Sequence, residues 1–284
     1  MEEQIDNSEK SILKGISLFG GVQIIQMLVS LVRGKFVAMI LGPEGIGINT
    51  LFNSSQTTIQ VFGSLGLNLA IVKEISSNRD NPPQLSLVMA VAWRLIFWSA
   101  IFGALLCFLL SPVLSRITFG SYGQTVSFMF LSISLFFSIA AAGKLSILQG
   151  LHQVKKLSRA SLVGALAGLL IGVPLYYLFG IKGIVPAIIC VTAAMYFFYS
   201  FTLKRCKLPA QETVRLSANK PLVRKLLSVG FILVAGNLAA TSVTYIINLF
   251  IRTFGDIENV GYFQAANSIT MQYMGMVFAA MAVE

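Results

Sequence analysis

Charge is what this sequence has least of. Only 11% of its 284 residues are Asp, Glu, Lys or Arg, while 56% are hydrophobic. An ordinary soluble domain carries roughly 25% charge. So few charges cannot coat a soluble core of this length, which excludes a soluble enzyme and a disordered or nucleic-acid-binding chain. Acids are scarcer still: 11 Asp and Glu stand against 21 Lys and Arg, and every acid lies in a terminus or loop, outside the apolar runs. One histidine, His152, and three scattered cysteines at 107, 190 and 206 provide neither metal-ligand spacing nor a disulfide framework. There is no HExxH, no GxSxG and no carboxylate pair within a span. The sequence therefore offers no catalytic, metal or cofactor site and reads as a non-enzyme. The first apolar run is too long for a signal peptide, and nothing resembles a cleavage site.

Long apolar runs are what it has in excess, with a mean hydropathy of +0.79. A crossing of the hydrocarbon layer needs about 20 apolar residues. Eight segments qualify: 12–40, 46–72, 85–110, 122–148, 160–179, 184–203, 222–250 and 260–283. Glycine and proline punctuate the breaks, as at Gly42, Pro43, Pro112 and Gly120. The segments are too long for membrane β-strands and do not alternate. The expected fold is an all-α polytopic membrane protein with eight transmembrane helices.

Fifteen of the 21 Lys and Arg fall on the side of the N-terminus, five on the opposite side, and Arg94 lies inside the third span. Cytoplasmic loops collect positive charge, so the N-terminus is expected in the cytoplasm. The same rule accounts for the net charge of +10 without a nucleic-acid partner.

A repeat runs through the chain. Span 2 opens IGINTLFNS (Ile46 to Ser54) and span 8 opens VGYFQAANS (Val260 to Ser268), with Gly, Asn and Ser in register at an offset of 214. Gly15 and Gly21 match Gly230 and Gly236 at 215. Six spans per unit is even, which makes the repeat parallel. The expected organisation is a complete six-helix lobe at 1–205, a loop at 206–221, and the first two helices of a second lobe at 222–284. The last span reaches Glu284 without a polar tail, so the chain reads as stopping partway through a longer protein.

Polar residues inside the spans form stripes. With about 100° per residue, Gln23, Gln26, Ser30 and Arg33 share one face of span 1. Asn49, Asn53, Gln56, Gln60 and Ser64 share one face of span 2; Asn237, Thr241, Thr244, Asn248 and Arg252 share one of span 7. Span 4 carries a weaker hydroxyl line, Ser127, Ser134 and Ser138. Such residues commonly hold helices together. Coherent stripes on repeat-related helices point instead to a water-filled cavity between the halves, and amides and hydroxyls suit a sugar. Arg33 and Arg252 lie at membrane depth, while all eleven acids lie in termini or loops. Either could meet a carboxylate from elsewhere, snorkel to the interface, or grip a phosphate in a bidentate fork. The candidate substrate-binding residues are Arg33, Arg252, Gln23, Gln26, Ser30, Asn49, Asn53, Gln56, Gln60, Asn237, Thr241 and Asn248.

GKFVAMILGPEGIGINTLFNS (Gly34 to Ser54) resembles the first-turn signature of Wzx-type polysaccharide flippases, the O-antigen and lipid-linked oligosaccharide translocases. DNPPQL (Asp80 to Leu85), QGLHQVKKLSRASL (Gln149 to Leu162) and NVGYFQAANSI (Asn259 to Ile269) resemble further stretches of that family. The resemblance implies membership of the multidrug/oligosaccharidyl-lipid/polysaccharide exporter superfamily, with two six-helix lobes in a V and helices 1, 2, 7 and 8 lining the cleft. It implies a bacterial inner-membrane transporter that moves undecaprenyl-pyrophosphate-linked oligosaccharide to the periplasmic leaflet by alternating access, for surface polysaccharide, O-antigen and lipopolysaccharide assembly. Membrane lipid, a polysaccharide polymerase and a chain-length regulator are the partners it implies. A cation-coupled multidrug exporter and an integral-membrane enzyme of glycan synthesis are the alternatives. The first should carry an acid in the cavity helices and the second loop motifs, and neither is present.

Overall fold

The computed structural model describes the backbone of residues 2–206 and 219–281, with side chains from Ile25 onward except those of residues 154, 272–273 and 275–281. Among the described residues the chain is helical throughout: α1 (Glu2–Gly63), α2 (Leu67–Ser77), α3 (Pro82–Leu109), α4 (Ser111–Phe119), α5 (Thr125–Gly150), α6 (Val154–Phe179), α7 (Ile184–Lys204), α8 (Lys220–Phe254) and α9 (Ile257–Met281). A single 3-10 turn, Gly180–Gly183, joins α6 to α7.

Five stretches among the described residues are long and apolar enough to cross a membrane: 25–63, 82–109, 125–150, 155–204 and 220–254. Two of these far exceed the ~20 residues that one crossing needs, and each is broken in its middle. Gly42, at φ 65° and ψ −175°, interrupts the first, and the Gly180–Gly183 turn interrupts the fourth. The protein is a multi-pass membrane protein. Its exterior agrees with lipid as solvent: Trp98, Leu170, Tyr177 and Phe231 are all more than 60% exposed.

Two expectations about boundaries change. Span 2 does not run on to Val72. It ends at Gly63, and Leu65 and Gly66 both take positive φ before the separate helix α2 begins. The break after Leu110 holds a short helix, α4, with Pro112 in its first turn and the left-handed Gly120 at its end. Proline suits a first turn because its missing N–H would have no partner there.

The bundle has two ends. The α2–α3 and α5–α6 connections, the end of α7 and the start of α8 lie at a basic end. The Gly42 kink, α4, the 180–183 turn and the α8–α9 connection lie at the far end. One buried cluster sits toward the basic end, where Ile71, Ile75, Met89, Ile147 and Leu148 enclose Leu226 of α8. A second lies toward the far end around Phe52, whose ring is 4.9 Å from Phe119 and 5.3 Å from Phe128.

Lys144, which the sequence counts among the orienting charges of the basic side, is instead 2% exposed on α5. Its ammonium lies 3.3 Å from the centre of the Tyr196 ring and 5.3 Å from that of Trp93, and it donates to Ser200 Oγ. Ring faces attract a desolvated cation, which is how the helix bundle accommodates this charge.

Candidate functional site

The seam between α1–α2 and α8–α9 is the candidate site, because it is where the helices predicted to be repeat-related meet. Helix α1 packs against both α8 and α9, and α2 against α8. Backbones approach closely at three points. Gly47 lies against Ile257 and Gly261 against Pro43 at the far end; Gly66 lies against the Gly230 carbonyl nearer the basic end. Small residues are what allow helix backbones this close. Gly66 also sits at φ +65°, so a side chain there would be strained as well as blocked.

Two polar links reinforce the seam. At the far end the Thr118 and Tyr245 hydroxyls are 2.7 Å apart, and Thr118 is 3.2 Å from Ser55 Oγ. Ser55 spends its single hydrogen on the Leu51 carbonyl, at 2.7 Å. A hydroxyl has one hydrogen to give, so Thr118 donates to Ser55 and Tyr245 donates to Thr118. Arg252, in the last turn of α8, lays its guanidinium on Gly120, the residue that caps α4. A cation at a helix C-terminus meets the free carbonyls there. At the basic end Lys225 Nζ lies 2.8 Å from Glu74 Oε2, the one ion pair between described residues.

The sequence-predicted residues distribute unevenly about this seam. Gln23 lies outside the residues whose side chains are described. Gln26 is half-buried and Ser30 exposed on α1. Asn49 is half-buried and accepts from the exposed Asn53, at 2.9 Å. Gln56 and Gln60 turn away, toward α5. Gln56 Nε2 donates to Ser134 Oγ at 3.0 Å, and Ser138 Oγ donates to Gln60 Oε1 at 2.7 Å. Thr192 gives its own hydrogen to the Ile188 carbonyl, so Ser134 passes its hydrogen to Thr192, 3.1 Å away. These bonds knit α1, α5 and α7, the helix-joining role that polar residues commonly play in membranes. Gln56 Oε1 is buried without a partner.

On α8, Asn237 is exposed, Thr241 donates back to the Asn237 carbonyl, and Asn248 is 1% exposed with Oδ1 unpartnered. Arg33 is half-buried, and its Nη1 lies against Gly168 of α6, 3.1 Å from where a Cβ would stand. Its guanidinium therefore lies beside α6. Sequence reasoning missed Thr118, Tyr245 and Glu74. Tyr245 adjoins the polar stripe, but neither Thr118 nor Glu74 lies in a span that periodicity could read.

Comparison with known proteins fits this geometry. A family profile described as "Polysaccharide biosynthesis protein" matches residues 12–283. The Lipid III flippase of Escherichia coli (strain K12) is 22% identical over 270 residues, covering 92% of this chain and 62% of that protein. The Lipid III flippase of Shigella flexneri matches to the same extent. The chain thus spans about three fifths of the length of these relatives. Among solved structures, the MATE multidrug transporter DinF-BH aligns with a TM-score of 0.75 at 18% identity, covering 96% of this chain and 63% of that one. An inward-facing multidrug resistance MATE family transporter of the MOP superfamily aligns at 0.70, also at 18% identity, covering 93% of this chain and 64% of that one. These relatives are flippases and transporters rather than enzymes.

Proposed function

Because the chain belongs to the polysaccharide biosynthesis protein family, we propose that it forms the first lobe and the opening helices of a second lobe in a flippase for lipid-linked oligosaccharide. The substrate would be an undecaprenyl-pyrophosphate-linked oligosaccharide, moved to the periplasmic leaflet of the bacterial inner membrane for surface polysaccharide assembly. The basic end faces the cytoplasm in this reading. The seam opens at one end while it closes at the other; the Glu74–Lys225 pair and the Tyr245–Thr118 link, both made in this structure, would each break in turn.

Arg33 carries the proposal. It lies nine residues before Gly42, or about 13 Å along a helix, at membrane depth. The one ion pair among the described residues does not include it. A guanidinium held inside a membrane costs roughly a few kcal/mol on insertion scales, and a doubly hydrogen-bonded pyrophosphate would offset part of that. Gln26, Ser30, Asn49, Asn53, Asn237 and Thr241 supply amides and hydroxyls for the sugars, and the buried Asn248 lies on the same face of α8. Arg252 serves the far-end closure in this reading. A multidrug exporter would share the fold, but a lipid pyrophosphate explains the arginine, which a cationic drug does not.

Arg33→Ala should lower surface polysaccharide at unchanged membrane abundance, and Arg33→Lys should fall between it and wild type, since lysine keeps the charge and loses the fork. Normal polysaccharide from Arg33→Ala at normal abundance would remove Arg33 from substrate binding.

A further inference from the structure

A second binding site lies away from the seam. Between α1, α5 and α7, at the far end, a groove of about 520 Å³ is floored by Ile48 and Phe52 and walled by Val185 and Phe130. Its volume falls in the range of roughly 300–1,000 Å³ common to small-ligand sites. Phe130 is 55% exposed at its edge and Cys190 is exposed along it, so the apolar part opens to the hydrocarbon phase.

The mouth has a different character. Lys182 stands there, in the 3-10 turn immediately before α7. The first turn of α5 lines it, so one helix N-terminus with its partial positive charge faces the mouth; the start of α7 adds no free donor, since the Ile184 N–H is bonded to the Ile181 carbonyl and Pro186 has no N–H. Ser127 Oγ donates to Gln124 Oε1 at 2.8 Å, which leaves the amide nitrogen of Gln124 as the group free to donate. Among the described residues no acid lines the groove. An apolar slot open to lipid, ending in a lysine, an amide donor and the N-terminus of α5, matches one chemistry: an acyl chain joined to an anionic phosphate.

We propose that this groove binds an anionic phospholipid of the far-end leaflet, with its phosphate at Lys182 and one acyl chain over Phe52. The site requires no transport activity, so it stands or falls separately from the flippase reading.

The test uses purified protein in detergent, titrated with phosphatidylglycerol or with phosphatidylcholine of identical chains. Cys190 reports occupancy, because Cys107 and Cys206 are buried; its alkylation by N-ethylmaleimide is followed by mass, alongside lipid retained in native mass spectra. Phosphatidylglycerol should protect Cys190 at about fivefold lower concentration than phosphatidylcholine, the effect of one lysine on an anionic lipid at the membrane surface. Lys182→Gln should abolish that preference, Lys182→Arg should keep it, and Val185→Trp should block retention by filling the slot. Equal protection by the two lipids, or an undiminished preference in Lys182→Gln, would overturn the proposal. Displacement of phosphatidylglycerol by a lower concentration of polyprenyl phosphate would also overturn it, by assigning the groove to a different lipid.

Discussion

The Tyr245 hydroxyl donates to Thr118 across 2.7 Å, joining α8 to the short helix α4. It is the outermost donor of a relay that ends on the Leu51 carbonyl, so every other hydroxyl in the relay keeps its hydrogen bond if Tyr245 loses its oxygen. Tyr245→Phe should therefore loosen the far-end seam without disturbing the contacts of α4 with α1. One neutral hydrogen bond is worth about 1 kcal/mol, enough to shift a two-state balance about fivefold. Spin labels at the exposed positions Ser121 and Glu258 would show a larger population of long distances in the variant. An unchanged distance distribution would mean that the link closes nothing.

The Glu74–Lys225 pair makes the opposite closure at the basic end. Glu74 is mostly buried, but the Lys225 side chain is 61% exposed, so water and salt screen the attraction to roughly 0.2–1 kcal/mol. Lys225→Glu places two acids together and should lower transport severalfold. The exchanged pair, Glu74→Lys with Lys225→Glu, should recover most of the loss. Failure of the exchange to recover transport would show that the two charges act independently.

Gly66→Ala tests the close approach of α2 to α8. The new Cβ would be strained at φ +65° and would collide with the Gly230 carbonyl. The backbone strain alone costs about 1–2 kcal/mol. The variant should melt lower in detergent than Gly236→Ala, at an ordinary helical position of α8 where nothing lies within 4 Å. Equal melting temperatures would show that the approach is not tight.

Lys144 separates charge from volume. Methionine fills much of the same space without a charge to desolvate, so Lys144→Met should be neutral or more stable by up to about 2 kcal/mol. Lys144→Ala leaves a void beside Trp93 and Tyr196 and should lose about 2 kcal/mol or more. A large loss in both variants would mean that the ammonium itself holds α3, α5 and α7 together.

The helical class and most span boundaries were legible because hydrophobic length is read directly by the membrane. Leu65 and α4 were not. A left-handed leucine and a nine-residue helix leave no periodic signal; α4 packs mainly on α5, and Leu65 meets Gly230 of α8 only through its carbonyl. The polar stripe of span 2 was also legible as a stripe, but its faces were not. Asn53 and Gln56 are only about 60° apart on the wheel, yet one is exposed and the other is buried and bonds Ser134 of α5. An angle on a wheel ranks residues around a helix; it does not say where the neighbouring helix begins. The serines of span 4 were the available signal, since they supplied the partners that Gln56 and Gln60 took up.

Transport is tested most directly in vesicles. The purified protein would be reconstituted with a fluorescent undecaprenyl-pyrophosphate-linked oligosaccharide, and an impermeant quencher would report the fraction of label reaching the outer leaflet over time. The flippase reading expects the inner-leaflet pool to become quenchable faster than in protein-free vesicles, and Arg33→Ala to slow that exchange at equal reconstitution. A rate equal to that of protein-free vesicles, in a preparation that does transport a cationic dye, would contradict it.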